Sequence, residues 1–539
     1  MNGDNAKKEF GDYQTPLYFA KTVCSYLSDN LNLQPETIIE PTVGIGAFIE
    51  ASFSQFDSFK NMIGIEINKT YCAHCEEKYK DKRLQIINED FFKFNMDKLM
   101  LSKKNVLVIG NPPWVTNSDL KFNLPEKSNF KGLSGSDAIT GASNFDICEY
   151  MILKLINDFK NTNTVIAMLC KTSVARNVFL EINRTSVFTE YVKMLNFNSN
   201  KVFDISASAC LLVIKLSNKN VIANTCDVSN LSEPNRTLSI IKCENGALSN
   251  KNDNVKNFEG KCQFEWRQGV KHDCSSIMEL EKIDEQTYIN KKKQKIKIEK
   301  TFVYPLVKSS GFKTYIINEQ FKKNVIVTQK KIKEDTSYIK NVAPQTWNYL
   351  IDNKDSFDKR KSSIYKGSPD FSMFGIGEYS YSKFKVGISG FYKKPIFSLL
   401  YNKKNIEQPV MVDDTAYFIP FENYDDAYVC MVLLNNYDVQ KFLSSISFKD
   451  AKRPYTKKVL QRLDFKKLID NISFYELKET EKNLNLKQYL NEEMYIQFKR
   501  LVVQESGKST DISNCAMLCK THNRAKGINS MRIENGIKI

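Results

Sequence analysis

Histidine is scarce in this sequence, which has only three among its 539 residues: His74, His272 and His522. Because they lie far apart, neither a histidine-based catalytic triad nor a multi-histidine metal site is expected, and we predict no metal centre. The thirteen cysteines follow no framework spacing, which favours free thiols in a reducing compartment over a disulfide scaffold.

Long apolar stretches are absent too. No run approaches the roughly 18 residues that a membrane-spanning helix needs, and residues 1–9 are polar and charged, without a signal-peptide pattern. The sequence therefore predicts a cytoplasmic protein with no membrane partner.

The sequence is strongly basic and long. A net charge of +16 favours a polyanionic partner such as nucleic acid. A chain of 539 residues exceeds what one hydrophobic core usually serves, so two domains are expected.

The most informative stretch is the apolar run Val106–Gly110 and the residues that follow it, Asn111-Pro112-Pro113-Trp114. The run predicts a buried strand of a parallel sheet. The prolines end that strand because neither can donate a ladder hydrogen bond. The chain therefore leaves the sheet at its carboxyl end, where open α/β sheets place their ligands.

This turn suits chemistry on an amine. The exocyclic amine of a nucleobase is a poor nucleophile because its lone pair is delocalised into the ring. The amide oxygen of Asn111 and the backbone carbonyl of Pro112 can accept from that NH2 group and offset the positive charge that develops during alkylation. Trp114 can stack on the base. A proline-rich turn without a catalytic role is the alternative.

A glycine loop follows the first predicted strand, residues 37–39. It begins with Glu40 and contains Gly44 and Gly46, which let the backbone approach a ligand closely before a helix begins at Ala47. On its own, this glycine pair is equally typical of a tight turn.

Two further strand ends carry acidic residues. Glu66 could accept from both ribose hydroxyls of a nucleoside. Asp90 could accept from an adenine amino group, and Phe91 could cover the adenine ring. Glu40, Glu66, Asp90 and Asn111 follow one another at steps of 26, 24 and 21 residues, each about the length of one βα unit. Four such residues in register favour a binding edge over four ordinary turns.

Near the amino terminus, Thr15 and Pro16 precede an amphipathic stretch from Leu17 to Leu27. We expect Thr15 to be the N-cap of a helix and Pro16 to occupy its first position.

Together these motifs resemble those of the bacterial DNA adenine-N6 methyltransferases of restriction-modification systems, over residues 9–216. The order is that of the subclass with the cofactor part first, the catalytic part next and the recognition region last. The resemblance implies a Rossmann-like α/β domain that binds S-adenosyl-L-methionine. The cofactor-binding residues that it implies are Thr15, Pro16, Glu40, Gly44, Gly46, Glu66, Asp90, Phe91 and Asn111. The catalytic residues that it implies are Asn111, Pro112, Pro113, Trp114 and Phe203.

Three positions bear on this resemblance in particular. Phe203 lies in a segment that matches the one whose aromatic ring stacks on the flipped base in the family, and a core phenylalanine is the equal alternative. Glu40 stands where the family more often has aspartate, and Trp114 stands where tyrosine or phenylalanine is usual. Tryptophan keeps the stacking face and enlarges it.

The chain is expected to divide into four parts. Residues 1–220 form the S-adenosylmethionine-dependent methyltransferase domain, and residues 221–260 a linker or an edge insertion. Residues 261–500 resemble an α+β DNA target-recognition domain, and residues 501–539 a tail. Within the third part, the basic run 291–297 is more typical of a solvated helix face than of a phosphate-binding element.

The tail resembles the closing half of an HNH nuclease motif. Cys515, Cys519 and His522 could ligate zinc, although three ligands at this spacing are weak evidence. The histidine that should open the motif and activate water is absent. We therefore expect a remnant of that motif or an extension of the chain, and no nuclease activity.

These inferences predict methyl transfer to adenine N6 in double-stranded DNA, on a base flipped out of the duplex. The expected partner is a separately encoded cognate restriction endonuclease that acts on the same site. The alternatives are a methyltransferase for RNA adenine or protein glutamine, a fused restriction-modification enzyme with nuclease activity, and a DNA-binding protein with a degenerate cofactor fold.

Overall fold

The computed structural model describes residues 13–99, 105–115, 146–250, 255–284 and 287–508. The chain divides into two compact units, residues 1–252 and residues 253–539.

The first unit contains a ten-stranded sheet. Its strands are β1 (Thr37–Glu40), β2 (Asn61–Glu66), β3 (Leu84–Asn88), β4 (Val106–Gly110), β5 (Val165–Lys171), β6 (Thr189–Phe197), β7 (Ala209–Leu216), β8 (Thr225–Asn230), β9 (Glu233–Glu244) and β10 (Ala247–Asn250). Its α-helices are α1 (Leu17–Ser25), α2 (Ala47–Gln55), α3 (Lys69–Lys78), α4 (Ile147–Phe159), α5 (Thr172–Arg184) and α6 (Ser199–Phe203).

The strand order is β10-β9-β8-β6-β7-β5-β4-β1-β2-β3. Strands β1 to β5 are parallel to one another, whereas β7 is antiparallel to both β5 and β6. Strand β4 is buried over its whole length, which is why it appears in the sequence as a continuous apolar run. This topology confirms the predicted Rossmann-like α/β fold.

The centre of the sheet positions the predicted site. Strand β1 pairs with β2 on one side and with β4 on the other, so the connections turn in opposite directions on either side of it. Open α/β sheets bind ligands at the carboxyl ends of the strands at such a switch point. Glu40 ends β1 and Asn111 follows β4, so both lie at that crevice.

Helix α1 begins one residue later than predicted. The carbonyl of Pro16 accepts from the N–H groups of Phe19 and Ala20, and the ψ angle of Pro16 is extended at 137°. Pro16 is therefore the N-cap, and the prediction that Thr15 caps the helix was wrong. The fixed φ of proline suits both an extended residue and the first residue of a helix, so the sequence pattern leaves this boundary open by one position.

Residues 221–260, expected as a linker or an edge insertion, add β8, β9 and β10 to the sheet. Strand β8 pairs in parallel with β6, and β9 and β10 follow as antiparallel neighbours. The ten-stranded sheet therefore continues past the expected boundary of the first domain at residue 220.

The second unit is of the α+β type and has two sheets. Its strands are β11 (Arg267–Gln268), β12 (Glu279–Lys282), β13 (Thr287–Asn290), β14 (Lys295–Lys297), β15 (Val303–Val307), β16 (Ile316–Ile317), β17 (Lys323–Ile326), β18 (Phe384–Ser389), β19 (Phe397–Leu400), β20 (Met411–Val412) and β21 (Ala416–Phe421). The sheet orders are β11-β21-β18-β19-β16 and β14-β13-β12-β17-β15-β20.

Ten α-helices are described in this unit. They are α7 (Ser275–Met278), α8 (Ile339–Val342), α9 (Pro344–Asp352), α10 (Lys354–Asp358), α11 (Tyr424–Leu434), α12 (Tyr437–Ile446), α13 (Lys457–Leu460), α14 (Phe465–Asn471), α15 (Phe474–Asn483) and α16 (Glu492–Lys508). Helices α11 to α16 pack against the five-stranded sheet around a core that contains Trp266 and Phe397.

The basic run 291–297 forms a hairpin, so the predicted helix face was wrong. Asn290 ends β13 and Lys295 begins β14, and the two strands are antiparallel. Lys293 has a φ of +64° in the connecting turn. Alternation of Lys295, Ile296 and Lys297 puts the isoleucine inside and both lysines outside, which is the two-residue period of a strand.

The expected tail begins later than residue 501. Helix α16 continues to Lys508, and Val502 is fully buried in the core of the second unit. Cys515, Cys519 and His522 lie outside the described residues. Every cysteine in the described part is a buried free thiol, and no helix there has both the length and the apolar character needed to cross a membrane.

Candidate active site

A cavity of about 600 Å3 lies at the carboxyl ends of the first four strands. This volume is within the range of small-molecule sites. The sequence-predicted residues that line it are Thr15, Glu40, Gly44, Glu66, Asp90, Phe91, Asn111 and Pro113. Pro16, Gly46, Pro112, Trp114 and Phe203, which were also predicted, lie outside its lining.

Asn111 presents a buried amide oxygen to which no described residue donates. Its Nδ2 donates to the backbone carbonyl of Tyr13 at 2.9 Å. Its Oδ1 is buried and has no hydrogen-bond partner among the described residues. A flipped amide would set its oxygen against the Tyr13 carbonyl, so the contact with Tyr13 fixes which atom remains available. An unpaired buried acceptor is costly unless a ligand completes it.

The two glycines of the loop lie close to side chains of the protein, and Gly44 also lines the cavity. Gly44 and Gly46 have φ angles of +56° and +86°, which glycine adopts without a steric penalty. A Cβ atom at Gly44 would lie 2.5 Å from Oε1 of Gln14, and one at Gly46 would lie 2.7 Å from the ring of Tyr79. The Gln14 Oε1 in turn accepts from the Ile45 N–H at 3.0 Å. Both glycines are therefore required by contacts within the fold.

Two carboxylates of the cavity differ in their surroundings. Glu66 accepts from the Gly44 N–H at 2.9 Å and from the Asn68 N–H at 2.8 Å. Glu40 is only 1% exposed, and its Oε2 has no hydrogen-bond partner among the described residues. Burial, together with the nearby charge of Glu66, raises the pKa of Glu40 well above its usual value.

The predicted adenine contacts follow β3. The Asp90 carboxylate accepts from the Phe92 N–H at 2.9 Å and shapes the turn. Phe91 is buried beside the cavity, and the Lys154 ammonium lies 5.0 Å from the centroid of its ring. Lys154 also donates to the Phe94 carbonyl at 3.0 Å. Helix α4 thereby holds the segment that carries the aromatic wall of the cavity.

Trp114 and Phe203 contact each other directly. Their ring centroids are 5.4 Å apart, and the ring planes are inclined by 71°. The Trp114 indole N–H donates to the Leu169 carbonyl at 3.2 Å. A base stacked between two rings needs them parallel, with room for the base between them, whereas these two rings are in edge-to-face contact. One of the rings would have to turn to admit a base.

Sequence reasoning missed several lining residues: Tyr13, Gln14, Phe48, Asn68, Tyr71, Ile147 and Met151. Gln14 directly precedes Thr15, and the motif there could have indicated it. The backbone carbonyl of Tyr13 accepts a hydrogen bond from the Asn111 side chain. Every residue has such a carbonyl, so the sequence contains no signal for this contact.

The second unit has a polar cavity of about 680 Å3. Its buried carboxylate, Glu279, contacts three ammonium groups: Lys308 at 2.5 Å, Lys291 at 3.0 Å and Lys323 at 3.6 Å. Burial lowers the pKa of His272 to about 4, so this imidazole is neutral at pH 7. No cluster of three possible metal ligands occurs within the described residues.

Comparisons with known proteins agree with this geometry. No protein-family model matches the sequence. Over 480 residues the chain is 39% identical to the type II methyltransferase M.NspV of Nostoc sp., covering 87% of this chain and 98% of that protein. It is 23% identical over 214 residues to the modification methylase CviBIII of Paramecium bursaria Chlorella virus NC1A, covering 39% of this chain and 51% of that protein.

Among solved structures, the ATP-dependent type ISP restriction-modification enzyme LlaBIII bound to DNA superposes with a TM-score of 0.40 at 11% identity. That superposition covers 76% of this chain and 33% of the enzyme.

Proposed function

Since this chain belongs to the type II methyltransferases of restriction-modification systems, we propose that it methylates adenine N6 at a specific sequence in double-stranded DNA. The single observation that carries this proposal is the buried, unpartnered Oδ1 of Asn111 at the carboxyl end of β4. An acceptor in that place suits an exocyclic NH2 group.

The cavity residues suit S-adenosyl-L-methionine, the cofactor of this family. The lining contains four acidic residues, Glu40, Glu66, Glu89 and Asp90, and no Lys, Arg or His among the described residues. Such a lining favours a ligand with positive charge and disfavours the phosphates of a dinucleotide. Thr15, Gly44, Glu66, Asp90 and Phe91 would hold the cofactor, which supplies an electrophilic methyl group on a sulfonium.

The residues around the acceptor position act on the amine. The Asn111 Oδ1 and the Pro112 carbonyl accept hydrogen bonds from the target NH2 group and offset the charge that grows on its nitrogen. The hydrogen bond from Asn111 to Tyr13 holds the amide in this orientation before the base arrives. Trp114 and Phe203 provide aromatic surface for the flipped base once their edge-to-face contact opens.

DNA as the substrate is supported by composition and by relatives. The net charge of +16 favours a polyanion, and the relatives are named as a type II methyltransferase and a modification methylase. We assign target recognition to the second unit. The corresponding partner is a separately encoded restriction endonuclease that cuts the same site when it is unmethylated.

Expression in a host that lacks DNA methylation, followed by single-molecule sequencing of the host DNA, tests this function. We expect N6-methyladenine at one enriched sequence motif, and none when Asn111→Ala is expressed. Asn61→Ala, which alters an exposed asparagine at the start of β2, is the matched control and should retain the pattern. Methylation of cytosine N4, or unmodified DNA in the presence of soluble protein, would contradict the proposal.

A further inference from the structure

Glu40 is one of the buried polar groups of the cofactor cavity whose hydrogen bonds are not all formed by the described residues. It ends β1, is 1% exposed, and has a buried Oε2 that accepts from no donor among the described residues. The lining of the cavity offers it no basic side chain within the described part of the chain. An ionised carboxylate in such a place is costly unless it is paired.

The elements packed around Glu40 add to that cost. Glu66 at the end of β2 lines the same cavity, and its charge disfavours ionisation of Glu40. Among the described residues, Cys24 of α1 and Cys75 of α3 also interact with it. Burial raises the pKa of both thiols to about 12, so they are neutral at pH 7. Glu89 and Asp90, further along the lining, are acidic as well.

We propose that Glu40 is protonated in the free protein and gives up its proton when the cationic part of S-adenosyl-L-methionine binds beside it. Before binding, the carboxyl group is neutral and the proton stays on its oxygen. After binding, the carboxylate pairs with the positive group of the ligand, and the proton passes to the buffer. Cofactor binding therefore releases one proton, and the positive charge of the bound cation takes the place of the positive charge that leaves with that proton.

A dependence of cofactor affinity on pH follows. Below the raised pKa of Glu40 in the free protein, binding must remove a proton, so affinity increases with pH by about tenfold per pH unit. Above that pKa the carboxyl group is already ionised, and the affinity levels off. The rising part lies between the pKa of Glu40 in the complex and its raised pKa in the free protein.

Titration calorimetry on the full chain tests the proposal. S-adenosyl-L-methionine is titrated at about pH 6.5, where an α-amino group, with a pKa of about 7.7–8.0, stays protonated. Buffers with different ionisation enthalpies are compared, because the slope of the observed enthalpy against buffer enthalpy gives the number of protons released. We expect about one proton for the wild type and for Glu36→Gln, which alters an exposed glutamate paired with Lys60. Glu40→Gln should release none.

Cofactor analogues show which positive group of the ligand pairs with Glu40. Because they are tested on the wild type, the result does not depend on the folding of a variant. S-adenosylhomocysteine keeps the ammonium group and lacks the sulfonium, and 5′-methylthioadenosine lacks both. Proton release with S-adenosylhomocysteine would identify the ammonium as the partner, and its loss would identify the sulfonium. The wild type should release no proton with 5′-methylthioadenosine. A wild-type slope near zero, equal release with 5′-methylthioadenosine, or an unchanged slope in folded Glu40→Gln would overturn the proposal.

Discussion

Glu40 of the first unit and Glu279 of the second are both buried carboxylates, at 1% and 3% exposure, but their surroundings are opposite. Burial disfavours ionisation in both. Around Glu279 the ammonium groups of Lys308 and Lys291 overcome this effect, and its pKa is lowered. Around Glu40, among the described residues, the nearby charge is that of another carboxylate, Glu66, and the pKa of Glu40 is raised. The chain completes the second site by itself and leaves the first one for a ligand.

The polar groups near each carboxylate differ in the same way between the two cavities. In the second cavity, the Asp413 carboxylate accepts from the Thr415 N–H at 3.1 Å and pairs with Lys308 at 3.2 Å. His272 Nδ1 accepts from the Cys274 N–H at 3.2 Å. In the first cavity, by contrast, the Asn111 Oδ1 has no partner among the described residues. Cavities of similar volume can therefore be told apart by the charges that surround their buried carboxylates.

The largest expected effect tests the paired site. Glu279→Gln removes the charge that three lysines share, and breaking a buried ion pair costs about 3–5 kcal/mol of unfolding free energy. Glu281→Gln, an exposed position on the same strand, should change the free energy by less than about 0.5 kcal/mol. Chemical denaturation of both variants measures the difference. Equal stability of the two variants would contradict the claim that the ion pairs of Glu279 stabilise the second cavity.

The next effect tests the unpaired acceptor. Asn111→Ala should lower the methylation rate by about 10²–10³-fold, because it removes one pre-organised contact to developing charge. Calorimetry should find S-adenosyl-L-methionine affinity nearly unchanged, since the amide oxygen is assigned to the base. Loss of cofactor binding in this variant would mean that the Asn111 side chain contacts the cofactor and not the target amine.

A smaller effect is expected at Glu66. Glu66→Ala should weaken cofactor binding by about 1.5–3 kcal/mol, the scale of hydrogen bonds to a charged group. Turnover at saturating cofactor should stay near that of the wild type. The variant also loses the contacts to the Gly44 and Asn68 N–H groups, so a circular dichroism spectrum should accompany the measurement. Unchanged affinity would mean that the ribose lies elsewhere.

A fourth prediction tests the ionisation of Glu40 in the absence of cofactor. Without cofactor, Glu40→Gln should be as stable as the wild type near pH 4 and more stable at pH 8. The sign follows from the raised pKa: the native state favours the protonated form, so its stability decreases as pH rises from the unfolded pKa towards the folded one. Thermal unfolding at both pH values measures this. Destabilisation at pH 8 would show that Glu40 is already paired.

The strand ends were predictable from sequence because buried parallel strands appear as apolar runs that stop at a polar residue. This placed Glu40, Glu66 and Asn111 at one edge, and the structure brings all three to one cavity. The hydrogen-bond partners of Asn111 and Ile45 were not predictable. Tyr13 and Gln14 lie 98 and 31 residues from their hydrogen-bond partners, and no periodic pattern links such distant positions.

Side-chain orientation and short strands were the other limits. Trp114 and Phe203 were each expected to stack on the flipped base, but the inclination of their rings depends on the Leu169 carbonyl that holds the indole. The lysine run was assigned to a helix because its charge conceals a single inward residue, Ile296. A strand of three residues is too short for its two-residue period to stand out.

Hydrogen exchange of the full chain, with and without S-adenosyl-L-methionine, tests the central claim most directly. The account predicts that added cofactor slows exchange in residues 37–48, 61–68 and 105–115, which carry Glu40, Glu66 and Asn111 of the cofactor cavity. Exchange in residues 270–280 and 410–415, around the self-paired cavity of the second unit, should stay the same. Protection of the second set without the first would contradict the account, because the cofactor would then occupy the cavity that the chain completes by itself.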